Sequence, residues 1–249
     1  MTILIIDNST AFTGAFKCAV NEAELLSGDH RFVFVLNQSS TLDPLLREKG
    51  ITVYKLPMVE IRRSIGVLLR YPFALLQNTR ALLKIIRTEN VDVVQVNDFY
   101  NMLGIMLKLS GFKEKLLTYV RFLPSVMPGI LRNTWIKLGL KYSYKMIGVS
   151  DAVIKQLPEN EKKTRIYDPV QLAEGLPEKS YEEKEIIDIL YLGNYIPGKG
   201  QDAALEAFAK AYAHNNKIRV SFMGGDMGLE KNATFKKSLE NRANELRLS

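Results

Sequence analysis

The residues best suited to chemistry lie in the stretch 193–200, GNYIPGKG. Gly198 and Gly200 would let the backbone approach a ligand closely, and Lys199 between them would place an ammonium group there. The predicted helix that follows offers unpaired N–H groups at its start, which attract anions. Together these features predict a diphosphate site, where Lys199 would stabilise the charge that develops when a bond to the diphosphate breaks. The alternative is that Pro197 and Gly198 form an ordinary turn and Lys199 is a solvated loop lysine.

The segments on either side predict a βαβ unit. Residues 186–192, IIDILYL, predict a strand buried on both faces of a parallel sheet. Asp202 is a candidate N-cap for a helix whose apolar side chains recur at helical spacing over residues 204–212. Residues 218–223 predict a second strand. A right-handed crossover would then place the stretch 193–200 at the carboxyl edge of the sheet.

The spacing of Gly193, Gly198 and Lys199 also fits the phosphate-binding loop of nucleotide hydrolases. That loop needs a serine or threonine after the lysine, because its hydroxyl binds magnesium, and Gly200 stands there instead. A nucleotide-binding or nucleotide-hydrolysing protein therefore stays as an alternative function, and no metal site is predicted. A dehydrogenase has less support, since no GxGxxG motif follows either early strand.

The composition is that of a globular chain with room for one large or two modest domains, since 47% of its 249 residues are hydrophobic. Cys18 is the only cysteine, which excludes an intrachain disulfide and a thiolate zinc site and fits a reducing cytoplasm. His30 and His214 fall in polar breaks, where a surface role is expected. The first residues predict a strand and not a signal peptide, and no apolar run is long enough to span a membrane.

Charge is uneven along the chain: residues 1–150 carry 19 Lys and Arg against 11 Asp and Glu, and residues 151–249 carry 15 against 16. The first half is therefore expected to face an anionic surface or substrate. Residues 61–89 interleave basic and apolar side chains, which predicts two helices packed on the sheet with solvated arginines, contact with an anionic membrane, or both. Residues 124–144 repeat the mixture and predict a loop and helix near the membrane interface, with Trp135 in the core. Nucleic acid is not predicted, because no aromatic-basic binding motif accompanies the charge.

Residues 1–168 predict a doubly wound, Rossmann-like α/β domain, because short apolar strands alternate with helical segments. Asp98 follows the predicted strand 91–96, at the sheet edge where ligand-binding residues collect, or it caps a helix predicted at 99–109. Residues 169–185 are polar, acidic and proline-containing, which predicts a linker. A second domain is expected over residues 186–249.

Two stretches resemble the retaining nucleotide-sugar glycosyltransferases of family 4, which have the GT-B fold. The first is LYLGNYIPGKGQDAALEAFAKAY followed by IRVSFMGGD, in which Lys199-Gly200 and Glu206-Ala207-Phe208 match the family pattern. The second is VSDAV at residues 149–153, where Ser150 is predicted to cap a helix. Asn194 stands where the family usually has an arginine, so one of two expected cations on the donor diphosphate is replaced.

The resemblance implies an acceptor domain over residues 1–168 and a Rossmann-like donor domain that begins at residue 186. On the acceptor side it implies Gly14, Asp98 and Arg121, with Arg121 near a position where family members frequently have histidine. It implies no cofactor and no essential metal, because the nucleotide sugar is a substrate. A family member would also continue beyond residue 249, so an incomplete donor domain and no transfer by this chain alone are expected. On the donor side the implied residues are Gly193, Asn194, Gly198, Lys199 and Gly200.

The expected function is therefore transfer of a hexose-type sugar, with retention of anomeric configuration, to a saccharide or lipid-linked acceptor in surface polysaccharide biosynthesis. Lys199 is the candidate catalytic residue. The expected location is cytoplasmic, with peripheral attachment to the inner face of the membrane. The alternatives are a P-loop-like nucleotide-binding or nucleotide-hydrolysing protein and a noncatalytic membrane-associated adaptor.

Overall fold

The computed structural model describes residues 1–59, 65–170 and 185–248. The chain divides into two compact units, a first unit Met1–Leu172 and a second unit Ala173–Ser249. Most of the predicted linker, at residues 171–184, lies outside the described residues, as do residues 61–64 of the predicted basic amphipathic region.

The first unit alternates strands and helices in its described residues. The strands are β1 (Thr2–Asp7), β2 (Arg31–Asn37), β3 (Thr52–Leu56), β4 (Val93–Val96), β5 (Lys115–Val120), β6 (Lys145–Gly148) and β7 (Lys163–Arg165). The helices are α1 (Gly14–Leu25), α2 (Asp43–Glu48), α3 (Ile65–Glu89), α4 (Leu103–Leu109), α5 (Gly129–Tyr142) and α6 (Asp151–Ile154). A 3-10 turn, Pro124–Val126, precedes α5.

The seven strands form one parallel sheet in the order β3-β2-β1-β4-β5-β6-β7. Strand β1 pairs on both sides, with Ile5 opposite Phe34 of β2 and opposite Gln95 of β4. The order reverses between β1 and β4, so this unit has a topological switch point at their carboxyl ends. The predicted doubly wound Rossmann-like sheet is confirmed.

Apolar side chains cover both faces of this sheet. One buried cluster contains Phe16 of α1 and Leu46 of α2, and another contains Leu82 of α3 and Leu107 of α4. A third cluster surrounds Trp135 of α5, which is 5% exposed, so its predicted core packing is confirmed. Burial on both faces explains why the strands read as continuous apolar runs in the sequence.

Two predictions for the first unit are wrong in detail. The described part of the basic amphipathic region is one 25-residue helix, α3, with Pro72 inside it, and not a pair of helices. The predicted helix at 99–109 begins at Leu103 with Met102 as its N-cap, so Asp98 does not cap it. Asp98 instead accepts a hydrogen bond from the adjacent Phe99 N–H, at 3.2 Å.

Ser150 does cap α6, as predicted, by accepting a bond from the N–H of Val153 at 3.3 Å.

The described part of the second unit contains two strands and two helices, in the order β8 (Ile187–Leu192), α7 (Gln201–His214), β9 (Ile218–Met223) and α8 (Glu230–Glu245). The strands pair in parallel with Ile189 opposite Val220, as the predicted strand, helix and strand require. The prediction that β8 is buried on both faces is wrong, because five of its six residues are exposed. In residues 185–248 its sheet has only the two strands β8 and β9, and most side chains of β8 stay exposed.

No helix among the described residues is both long enough and apolar enough to cross a membrane.

Candidate functional site

The first candidate site is the loop of residues 193–200 in the second unit, between β8 and α7. Gly198 and Gly200 have φ angles of 90° and 91°, a conformation that favours glycine strongly over residues with a Cβ atom. The turn is closed by a 3.0 Å bond from the Lys199 N–H to the Ile196 carbonyl, and Tyr191 donates its hydroxyl to the Lys199 carbonyl at 2.5 Å. The backbone of Lys199 is therefore fixed on both sides, while its side chain is exposed and forms no ion pair with any described residue.

The loop leads into the N-terminus of the 14-residue helix α7. Gly200 is the N-cap and provides no side-chain cap, so the N–H groups at the start of the helix, from Gln201 to Ala203, lack intrahelical acceptors. The prediction that Asp202 caps the helix is wrong, since Asp202 lies in its first turn. These N–H groups and the positive end of the helix dipole suit an anion.

The loop is held in place by polar contacts with the end of β9. Gln201 is 1% exposed and donates its side-chain amide to the Asn194 carbonyl at 2.8 Å. The Asn194 side chain accepts a bond from the Gly225 N–H at 3.2 Å. A Cβ atom on Gly224 would overlap the carbonyl group of Gly193, so glycine is required there for the two strand ends to meet. Asn194 therefore braces the loop, at the position where the resembling family has a cation.

The contribution of Gln201 and Gly224 was missed by sequence reasoning. In the sequence, Gln201 falls at the end of the predicted loop, and Gly224 closes the predicted strand at residues 218–223. Only the pairing of β8 with β9 shows that both residues hold the lysine-bearing loop. The magnesium-binding hydroxyl of a nucleotide hydrolase loop is still missing at Gly200.

The second candidate site lies at the switch point of the first unit, where β1, β4 and β5 end. Asp7 ends β1, Asn97 and Asp98 follow β4, and Arg121 follows β5. Asn97 donates to Asp7 and, at 3.3 Å, to the carbonyl of Ala15 in α1. Polar groups from three strands and one helix therefore meet at one sheet edge, where ligands bind in folds of this type.

Arg121 is the centre of this group, and its side chain is 2% exposed. Its Nε donates to Asn97 at 2.6 Å, its Nη1 donates to Asp168, and its Nη2 lies 3.8 Å from Glu22. The guanidinium also lies over the ring of Tyr119, 4.3 Å from the centroid. An anionic acceptor would have to compete with Asp168 for this cation, so acceptor binding by Arg121 stays a prediction.

Asp98 is partly exposed, yet burial of its carboxyl group among protein atoms raises its pKa to about 8. Hydrogen bonds from the backbone of Arg121 and Phe99 act in the opposite direction and lower the pKa, with a smaller effect. A neutral carboxyl group near pH 7 can donate a hydrogen bond, which a carboxylate cannot do. A neutral Asp98 would therefore be able to donate a hydrogen bond to an acceptor, which is the role that the sequence predicts for it.

Gly14 is the first residue of α1, after the N-cap Thr13, and a Cβ atom there would have open space around it. Its neighbour Ala15 is bonded to Asn97, so Gly14 lies near the same sheet edge as Asp98 and Arg121. The structure thus brings the three predicted acceptor-side residues to one edge of the first unit. It places the five donor-side residues in one loop of the second unit. Asp7, Glu22, Asn97 and Asp168 were missed as members of this group, because they are widely separated in the sequence.

No protein-family model matches the sequence, and no curated protein does. The structure, in contrast, is similar to solved glycosyltransferases. HepE of Anabaena, crystallised with UDP and glucose, is 16% identical and aligns with a TM-score of 0.74 over 99% of this chain and 67% of its own. A glycosyltransferase of Rickettsia africae is 19% identical, with a TM-score of 0.71 over 99% of this chain and 65% of its own. The chain has a GT-B-like fold.

The likeness shows the fold alone, because the sequence identities are low. A putative UDP-N-acetylglucosamine 2-epimerase from Listeria monocytogenes, 13% identical, also aligns over 100% of this chain and 66% of its own, with a TM-score of 0.55. This chain spans about two thirds of the length of each of these proteins. The fold alone does not specify the reaction.

Proposed function

We propose that this chain is part of a glycosyltransferase and that the loop of residues 193–200 binds the diphosphate of a nucleotide-sugar donor. The observation that carries the proposal is the placing of Lys199 between two left-handed glycines, directly before an uncapped helix N-terminus. A diphosphate needs cations and N–H donors, and this loop supplies both. HepE, which has the same fold, was crystallised with UDP and glucose.

In the proposed reaction, Lys199 and the N–H groups of α7 stabilise the charge on the departing diphosphate. The acceptor hydroxyl group is held at the switch point of the first unit, on the side of Gly14, Asp98 and Arg121. Asp98, with a pKa of about 8, donates a hydrogen bond to the acceptor near neutral pH. We further propose retention of anomeric configuration without a metal, a cofactor or a protein nucleophile, as in family 4 enzymes.

The proposed acceptor is a saccharide or a lipid-linked saccharide of surface polysaccharide biosynthesis, reached at the inner face of an anionic membrane. Support comes from one stripe along α3, whose members recur every three or four residues. Phe73 is 75% exposed there, and the stripe changes from apolar to basic toward the end of the helix. Its members are Leu69, Phe73, Leu76, Arg80, Lys84 and Arg87. Apolar side chains beside basic ones are typical of helices that lie on anionic lipid.

The donor site is tested by hydrogen exchange and titration calorimetry on the chain with UDP-glucose, GDP-mannose and ADP-glucose. We expect one of these to protect the amides of the loop and of the first turn of α7. Lys199→Ala should weaken binding by roughly 10- to 100-fold, as expected for a lost charge-assisted hydrogen bond. Lys210→Ala, an exposed lysine on the same helix, should bind as the unmodified chain does. No protection by any nucleotide sugar, or full binding by Lys199→Ala, would overturn the proposal.

Two other reactions are separated by their products. A nucleotide hydrolase would release phosphate in a magnesium-dependent reaction that Lys199→Ala abolishes. An epimerase, which the Listeria neighbour brings into consideration, would invert one carbon of UDP-N-acetylglucosamine without an acceptor. A noncatalytic membrane adaptor would bind lipid vesicles and no nucleotide sugar.

A further inference from the structure

A cavity of about 270 Å³ lies in the first unit, and its wall includes Asn8 and Phe122, the residues that follow Asp7 and Arg121. Four aromatic side chains contribute to its wall, from α3, α5 and the loops that follow β4 and β5. Tyr100 contacts two of the others, with ring centroids 5.8 Å from Phe122 and 6.4 Å from Trp135. The fourth is Tyr71, whose pKa burial raises to about 12, so its hydroxyl stays neutral. The wall is therefore aromatic and uncharged at these positions.

Three asparagines supply polar groups to the same wall. Asn8 and Asn101 each accept one hydrogen bond through the side-chain oxygen, from Asn37 at 2.7 Å and from the Leu103 N–H at 3.1 Å. Neither of their amide nitrogens donates a hydrogen bond to a residue in the described ranges. Two N–H₂ groups are thus left to a ligand.

The third asparagine, Asn78 on α3, is 2% exposed. Its amide nitrogen donates to the Pro57 carbonyl at 3.1 Å, which fixes the orientation of the amide group. Its oxygen then has no donor among the described residues. A buried acceptor without a partner costs free energy, which a ligand hydroxyl group that reaches this oxygen would recover.

We propose that this cavity binds a single sugar ring, which stacks on the aromatic side chains and exchanges hydrogen bonds with the three asparagine amides. An isoprenoid chain would fill the aromatic part and leave the amides unpaired, whereas a sugar has both an apolar C–H face and hydroxyl groups. The cavity volume of about 270 Å³ lies just under the range of typical small-molecule sites, which is about 300–1,000 Å³. A volume of this size suits one sugar ring. The assignment of this ring to the acceptor rests on the glycosyltransferase function proposed above. The binding of a sugar in the cavity does not depend on that function.

Trp135 makes the test direct, because it is the only tryptophan of the chain and lines the cavity. The chain is titrated with the methyl glycosides of glucose, galactose and N-acetylglucosamine while Trp135 fluorescence is recorded. We expect a saturable change with at least one glycoside. Ala74→Leu, which fills the cavity from α3, should abolish it, and Asn78→Leu should weaken binding at least tenfold. Asn133→Leu, an exposed position on α5, serves as the control and should respond as the unmodified chain does.

Circular dichroism of each variant ensures that a lost response reflects binding and not unfolding. No saturable change with any glycoside would overturn the proposal, as would a change that survives in folded Ala74→Leu. A response to geraniol but to no glycoside would assign the cavity to an apolar chain and also overturn it. The donor test reads amides of the second unit and this test reads Trp135 of the first, so failure of one proposal is distinguishable from failure of the other.

Discussion

Replacing Asp98 with asparagine should remove a pH-dependent loss of stability from the first unit. In the folded chain the pKa of Asp98 is about 8, because burial disfavours the carboxylate, against 3.8 for an ordinary aspartate. Between these two pH values the folded state keeps a proton that the unfolded state has released. The stabilisation is therefore complete below pH 4 and is lost as the pH rises through about 8.

The size of the effect follows from the same two pKa values. Each pH unit over which the two states differ by one proton changes the free energy of unfolding by about 1.4 kcal/mol. The interval from 3.8 to about 8 thus sets an upper bound of about 6 kcal/mol. Asp98 keeps part of its surface in water, so the difference in free energy is expected to stay below this bound.

Urea unfolding followed by Trp135 fluorescence measures this free energy for the first unit, which contains that tryptophan. Asp98→Asn should be about as stable as the unmodified chain at pH 4.5 and several kcal/mol more stable at pH 8, with a difference that grows as the pH rises toward about 8. Asp29→Asn, an exposed aspartate after α1, should show no such trend. A constant difference between the Asp98→Asn and unmodified curves would mean that the folded chain holds Asp98 ionised, and would refute the reasoning.

Two further predictions concern the second unit and the α3 stripe. Gly224→Ala should increase hydrogen exchange in β8 and β9, because the new methyl group would overlap the Gly193 carbonyl. Gly225→Ala is the control and should be tolerated, because the nearest atoms to its new methyl group lie at 3.8 and 3.9 Å. Equal exchange in the two variants would contradict this prediction. Vesicles that contain phosphatidylglycerol should co-sediment with the chain and release it as salt is raised, and Phe73→Ser should weaken that binding. Tyr144→Ser, an exposed aromatic position elsewhere in the first unit, is the control, and equal binding to uncharged phosphatidylcholine vesicles would contradict an anionic surface.

Much of the first unit was predictable because its strands are buried on both faces. Continuous apolar runs such as residues 32–36 fit the buried strands of a parallel sheet, and the helical periodicity between such runs fixes the alternation of strands and helices. Local side-chain chemistry was predictable too, as the cap of α6 by Ser150 shows. The start of α4 was not, since Asp98 is a good N-cap residue in isolation but lies too far before Leu103.

The sequence could not show which charged residues meet at the switch point. Arg121, Glu22 and Asp168 come from three different elements and are brought together only by the strand order. A basic residue at a strand end looks free to bind a ligand until its internal partners are known. The exposure of β8 could not be predicted either. The same apolar residues fit a strand that is buried in a larger sheet, and the sequence does not show that β8 lies in a sheet of two described strands.

Asn194 has a structural role that its position in the sequence does not reveal. In the resembling family an arginine at this position adds a cation for the donor diphosphate, and its replacement by asparagine reads as a simple loss of charge. Here the Asn194 side chain accepts from Gly225 and its carbonyl accepts from Gln201, so the residue keeps the loop of 193–200 against the end of β9. The loop therefore gains rigidity where it lacks a second cation. Diphosphate binding would then depend more on the backbone N–H groups, which are already fixed and so lose little conformational entropy when a ligand binds. It would also depend on Lys199, the charged side chain of the loop.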